Sequence, residues 1–121
     1  MSLKISNYDD YILAEFSEGM DYWEILDCIP KIFSMPEFKV KNDIWIFKDG
    51  QMKILFSDLY KIKDSVKKLY PESSTGEKTA IVTETGIQYS IATLYSDMGK
   101  DLPRQIKAFA NLNSAIDWIK R

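Results

Sequence analysis

The chain has 121 residues, 45% hydrophobic and 28% charged, with 16 basic against 18 acidic side chains and a net charge of −2. That suits one domain with a single core and excludes a disordered chain, and the charge leaves no footprint for a nucleic-acid duplex or an anionic membrane. There is no histidine and one cysteine, Cys28, which excludes Ser-His-Asp and Cys-His catalysis, imidazole and thiolate zinc sites, and iron–sulfur clusters.

In chain order, Leu3 and Ile5 and then Tyr11 to Phe16 flank a polar Asn7-Tyr8-Asp9-Asp10 cluster, which predicts an antiparallel hairpin. Asp21 and Glu24 have the spacing of a capping box, and Tyr22, Ile25, Leu26, Ile29, Ile32 and Phe33 form one wide apolar face behind it, so a helix is expected there. Pro30 lies inside that pattern and predicts a kink or break between Leu26 and Pro30, with Met35-Pro36-Glu37-Phe38 ending the helix. Asn42 to Phe47 reads as a strand. Asp49-Gly50 is a hairpin signal, and Met52, Ile54 and Phe56 alternate as a returning strand would; an extended loop into the next helix is the competing reading. Ser57 is a suitable N-cap, Leu59, Ile62, Val66 and Leu69 mark a core stripe, and Pro71 stops that helix. Lys61, Lys63, Lys67 and Lys68 fall largely on its other faces and read as a solvated surface. A polar loop follows to Glu77.

The stretch from Lys78 to Trp118 is the most legible. Thr79 to Thr83 is a short β-branched run that suits a buried strand, and Thr85 and Gly86 break it. Ile87, Ile91, Leu94 and Met98 then lie on one stripe of a helix that Gly99 closes. After Pro103, Ile106 to Phe109 reads as a second strand, and Asn113 is placed to cap a last helix carrying Ala115, Trp118 and Ile119. The sum is an α/β domain spanning 1–121 in the order ββαβαβαβα: a mostly parallel five-stranded sheet, an antiparallel N-terminal edge strand, and helices packed on it. No apolar run approaches the roughly 20 residues that cross a bilayer, and the opening MSLKISNYDD has no secretory core, so the expected location is the cytoplasm, with no membrane insertion.

This order, with PEF before the third strand, KTAIVTETGIQYSIATLYSDM over the fourth strand and third helix, and KAFANLNSAIDWI at the end, resembles the SpoIIAA-like superfamily, which includes the STAS domains. The likeness is greatest to its small stand-alone bacterial members. It implies a non-enzymatic regulatory or protein-interaction module. STAS antagonists of anti-sigma factors are switched at a serine that starts the helix after the third strand; here that position is Ser57, in LFSDL, without the family's Asp-Ser-x-Gly-like motif, so the phosphoswitch is not carried over.

Other signals point to binding. Ligands in open α/β sheets bind beyond the carboxyl ends of the strands, so Thr83, Glu84, Thr85, Gly86 and Gln88, with Lys48 and Asp49 ending the neighbouring strand, could rim a crevice for a small anion, polar ligand or lipid. Were the chain an enzyme, Glu84 would be the acid or base and Lys48 its charge partner. Tyr89, Ala92 and Tyr95 fall off the apolar stripe of their helix and suit the face of a homodimer. Ser74 to Thr79 lacks the first glycine of a phosphate-binding loop and precedes its strand, and no G-x-G-x-x-G occurs, so no cofactor is expected. Another protein or a second copy of the chain is the expected partner, with no nucleic acid.

Overall fold

The computed structural model describes residues 2–17, 20–48, 52–70, 76–83 and 86–121. The sequence alternation gives a sheet of five strands in the order β1-β2-β4-β6-β7. They are β1 (Ser2–Asn7), β2 (Tyr11–Ser17), β4 (Asn42–Phe47), β6 (Lys78–Thr83) and β7 (Gln105–Phe109). β1 runs antiparallel to β2, with Ile5 opposite Ala14, and every other pairing is parallel. This is the expected α/β layout, antiparallel edge included.

The register sorts each strand into two faces. Ala14 of β2, Trp45 of β4, Ile81 of β6 and Ala108 of β7 are successive partners. Ile12, Ala14, Phe16, Trp45, Phe47, Ile81 and Ile106 pack under α1 (Tyr22–Phe33), α2 (Pro36–Val40), α3 (Asp58–Leu69) and α4 (Gly86–Met98) in the larger core. The other face, carrying Tyr11, Leu13, Ile44, Ile46, Ala80 and Val82, is covered by Ala115 and Ile119 of α5 (Leu112–Ile119). Both faces of the central strands are dry, which is why they read as nearly continuous apolar runs.

Local chemistry explains most element ends. Asp21 caps α1 by accepting from the Glu24 amide at 2.9 Å, and Glu24 returns the bond, so the capping box forms as expected. Pro30 does not break the helix, which runs unbroken from Tyr22 to Phe33. Proline costs about 3 kcal/mol in a helix interior, while α1 buries Ile25, Cys28, Ile29, Ile32 and Phe33 at about 1.5–3 kcal/mol for each large apolar side chain. Burial outweighs the lost hydrogen bond. Met35-Pro36 ends one helix but starts another, with proline in the first turn of α2, where its missing N–H is not needed.

Four expectations are corrected. Met52–Lys53 (β5) forms no hairpin with β4; it pairs in parallel with Met20–Asp21 (β3), with Asp21 beside Lys53, so the chain after β4 crosses over to α1's entry. Asp49 and Gly50 themselves lie outside the described residues. Ser57 has helical backbone angles and makes no side-chain cap bond; the neighbouring Asp58 instead accepts from the Leu55 amide at 3.0 Å. Asn111, not Asn113, caps α5, accepting from the Ser114 amide at 2.8 Å, because Leu112 already belongs to the helix. In α4 the buried positions are Gln88, Ile91, Ala92 and Tyr95, whereas Leu94 is exposed. The buried face is turned from the apolar stripe and takes in Gln88, so spacing alone did not choose the inner side. Leu69 of α3 is exposed too.

Gly99 marks a close approach. A Cβ there would stand 2.9 Å from Ile106 Cδ1 and 3.2 Å from Leu102 Cδ1, so glycine lets the end of α4 press against β7.

Candidate functional site

The rim at the carboxyl ends of β4 and β6 was the expected site. Lys48 is exposed, with its ammonium 3.7 Å from a Glu15 oxygen, and Gly86 opens α4 with no atom near its missing Cβ. Thr83 and Gln88 are buried, and the Thr83 hydroxyl has no hydrogen-bond partner. Asp49, Glu84 and Thr85 lie outside the described residues. Of this set, then, Lys48 and Gly86 reach the surface while Thr83 and Gln88 turn into the protein. Ser57 is exposed. The proposed dimer face separates as well: Tyr89 is exposed, but Ala92 and Tyr95 are core residues, because α4 rests on the sheet by the stripe that includes them.

What the tertiary structure does assemble near this end is an apolar corner. Pairing of β3 with β5 sets the start of α1 beside the start of α3, and Lys61 Nζ lies 5.7 Å from the Tyr22 ring. Trp23 at the start of α1, Leu55 and Phe56 just before α3, and Tyr60 in its first turn have exposures of 73%, 69%, 54% and 66%. Large apolar side chains left this exposed are the kind of surface that interaction sites use. The signal in the sequence was two aromatics placed off their helices' core stripes: Trp23 beside Tyr22, and Tyr60 between Leu59 and Ile62.

At the opposite rim, where the parallel strands begin, a buried polar cluster forms that sequence reasoning missed. Asp43 Oδ1 accepts from Thr79 Oγ1 at 2.7 Å and from Arg104 Nη1 at 2.7 Å, and Oδ2 accepts from Trp45 Nε1 at 2.6 Å. Arg104 also donates to the Lys41 carbonyl at 3.0 Å and to the Phe38 carbonyl, and its guanidinium lies 3.9 Å above the Phe38 ring. Both charged side chains are essentially fully buried. Burial pushes the Asp43 carboxyl up from the usual carboxylate value, against the downward pull of Arg104, Thr79 and Trp45. One guanidinium thus ties the entry of β7 to α2 and β4. An aspartate in the apolar run NDIWIF and an arginine between Pro103 and a strand were the visible hints.

Between this cluster and the helices lies a chamber of about 90 Å³. Its walls come from α1, α3, α4 and the sheet, and Asp43, Tyr70, Thr79 and Tyr95 supply its polar groups. Pockets for drug-sized ligands run to about 300–1,000 Å³, so the chamber is too small for most metabolites. Burial holds the Tyr70 and Tyr95 hydroxyls well above the ordinary tyrosine value, reinforced by the Asp43 charge. In the folded state they keep their protons above pH 10, where the unfolded chain releases them, so stability should fall as pH rises past about 10, by up to about 1.4 kcal/mol per pH unit for each tyrosine. Urea titrations at pH 9 and pH 11 check this, and Tyr70→Phe should flatten the dependence.

Among the described residues no group of three or more carboxylate or thiol side chains is placed to hold a metal, and no helix is long and apolar enough to cross a membrane. No family model, curated protein or solved structure matches the chain.

Proposed function

We propose that this protein is a non-enzymatic interaction module of the SpoIIAA/STAS type, and that it docks through the corner formed by Trp23, Leu55, Phe56 and Tyr60, with a second copy of itself as the occupant. The exposure of those four side chains carries the reading. A standard interface buries about 800 Å² on each partner, with large apolar and aromatic side chains at its core and a polar rim, and these four are the residue types such a core uses. Charges of both signs flank the patch: Asp27 lies one turn along α1 from Trp23, and Lys61 follows Tyr60. A two-fold axis can therefore set opposite signs against each other, which a rim of one sign would forbid. The small chamber supports the non-enzymatic side of the reading, since it offers no room for a metabolite-sized substrate. A cytoplasmic setting and a bacterial source go with the same reading.

Light scattering on size-exclusion fractions tests it. The wild-type chain should be dimeric at high micromolar concentration, and Trp23→Ser or Tyr60→Ser should each weaken the dimer by about 30-fold or more, the mark of a truncated hot-spot aromatic, with an unchanged circular-dichroism spectrum. A wild-type chain that stays monomeric at millimolar concentration would remove the assignment.

A further inference from the structure

Protein interiors pack at crystal density and leave few voids larger than a water molecule. A space of about 90 Å³ left between the sheet and the helices is therefore a feature to explain. An accidental void would be a pure loss, because its lining forfeits dispersion contacts. Here the lining is also organised. Ile25, Ile62, Val66 and Ile81 make an apolar body, and the polar groups are gathered from β4, β6, α4 and the residue that follows α3: Asp43, Thr79, Tyr95 and Tyr70.

The state of those polar groups narrows what can enter. Asp43's two oxygens already accept from Arg104, Thr79 and Trp45. Arg104 is committed to Asp43 and does not line the chamber. A charged guest would be buried without a counter-ion, at a cost of several kcal/mol, so the guest is neutral. The Thr79 hydroxyl is spent on Asp43, which leaves Tyr70 and Tyr95 as the other polar side chains of the lining. Tyr95 reaches the lining from α4, and a neutral tyrosine hydroxyl has one proton to donate. As to size, a dry cavity of about 150 Å³ takes benzene, with its six carbons, so this chamber suits roughly four non-hydrogen atoms.

We propose that the chamber between the sheet and α1, α3 and α4 is a binding site for a small neutral, mainly apolar molecule carrying one hydrogen-bond acceptor, a short-chain alcohol or carbonyl compound, anchored by the Tyr95 hydroxyl. The site is separate from the rim at Gly86 and does not depend on the docking corner.

The probe is 1-propanol, titrated into protein carrying labelled isoleucine methyl groups and followed by NMR. Saturable shifts should appear at Ile25, Ile62 and Ile81, which line the chamber, and not at Ile12 or Ile119, which do not. Ala92→Leu, which fills the chamber from α4, should abolish them without loss of thermal stability. If that variant fails to fold, Val66→Ile provides a gentler filling and should weaken binding several-fold. Tyr95→Phe should weaken 1-propanol about tenfold and leave xenon binding under pressure unchanged, a difference that a merely structural role for the hydroxyl would not produce. Shifts that never saturate, that spread equally to Ile12 and Ile119, or that survive both filling variants would overturn the proposal.

Discussion

Replacing Arg104 with methionine should lower the free energy of unfolding by about 3–5 kcal/mol, the cost of leaving a buried carboxylate without its partner. Asp43 would lose the guanidinium at 2.7 Å while remaining 1% exposed, and the Phe38 and Lys41 carbonyls would lose their donors in the same step. Domains of this kind are stable by only about 5–15 kcal/mol, so the variant should unfold at a much lower urea concentration. The double variant Arg104→Met, Asp43→Leu separates charge from packing. Exchanging a whole buried ion pair for apolar groups is often neutral or stabilising, so the double variant should recover most of the loss. A double variant as unstable as the single one would show that Arg104 matters for its stacking on Phe38 and its carbonyl bonds, not for neutralising Asp43.

Phe16→Ala should cost a similar amount, about 3–5 kcal/mol, for a different reason. The ring is 1% exposed, stacked 4.7 Å from Phe47 and 5.6 Å from Trp45 on the neighbouring strand. Those contacts sit where β2 meets β4 under the helices, so truncation leaves a void that close-packed neighbours fill only partly. Urea unfolding followed by tryptophan fluorescence should show a lower midpoint with an unchanged slope, because the surface exposed on unfolding barely changes. A loss below about 1 kcal/mol would mean that Phe47 and Trp45 collapse into the space.

Much of this architecture was legible because its signals are local. Period-two runs, capping residues and proline stops act over a few residues, and they placed each of the five main strands and the principal helices within a residue or two. Errors arose where two local solutions were equally good. Asn111 and Asn113 are both sound caps two residues apart, and packing of Leu112 into the helix decided between them. α4 carries apolar residues beyond the stripe of Ile91, Leu94 and Met98, and the choice of Ile91, Ala92 and Tyr95 as its inner side depended on the sheet beneath. Met52, Ile54 and Phe56 alternate as a hairpin arm would, yet Met52–Lys53 pairs with Met20–Asp21, some thirty residues earlier, and no local rule can see that distance.

The candidate sites were much less legible than the fold. Trp23 and Tyr60 could be seen to lie off their core stripes, but a lone surface aromatic is ordinary; the approach of the segments before α1 and α3 exists only once β3 pairs with β5. Asp43 and Arg104 are 61 residues apart, and each alone resembles a surface charge that has strayed next to a strand. By themselves, then, the order and composition of the chain determined the α/β class, the antiparallel first strand and the exclusion of histidine catalysis and of imidazole and thiolate zinc sites, since composition and periodicity are properties of sequence. Only the tertiary structure decided where the buried ion pair, the chamber and the exposed aromatic corner lie, because each is made by residues distant in the chain whose side chains gain or lose water together when the layers close.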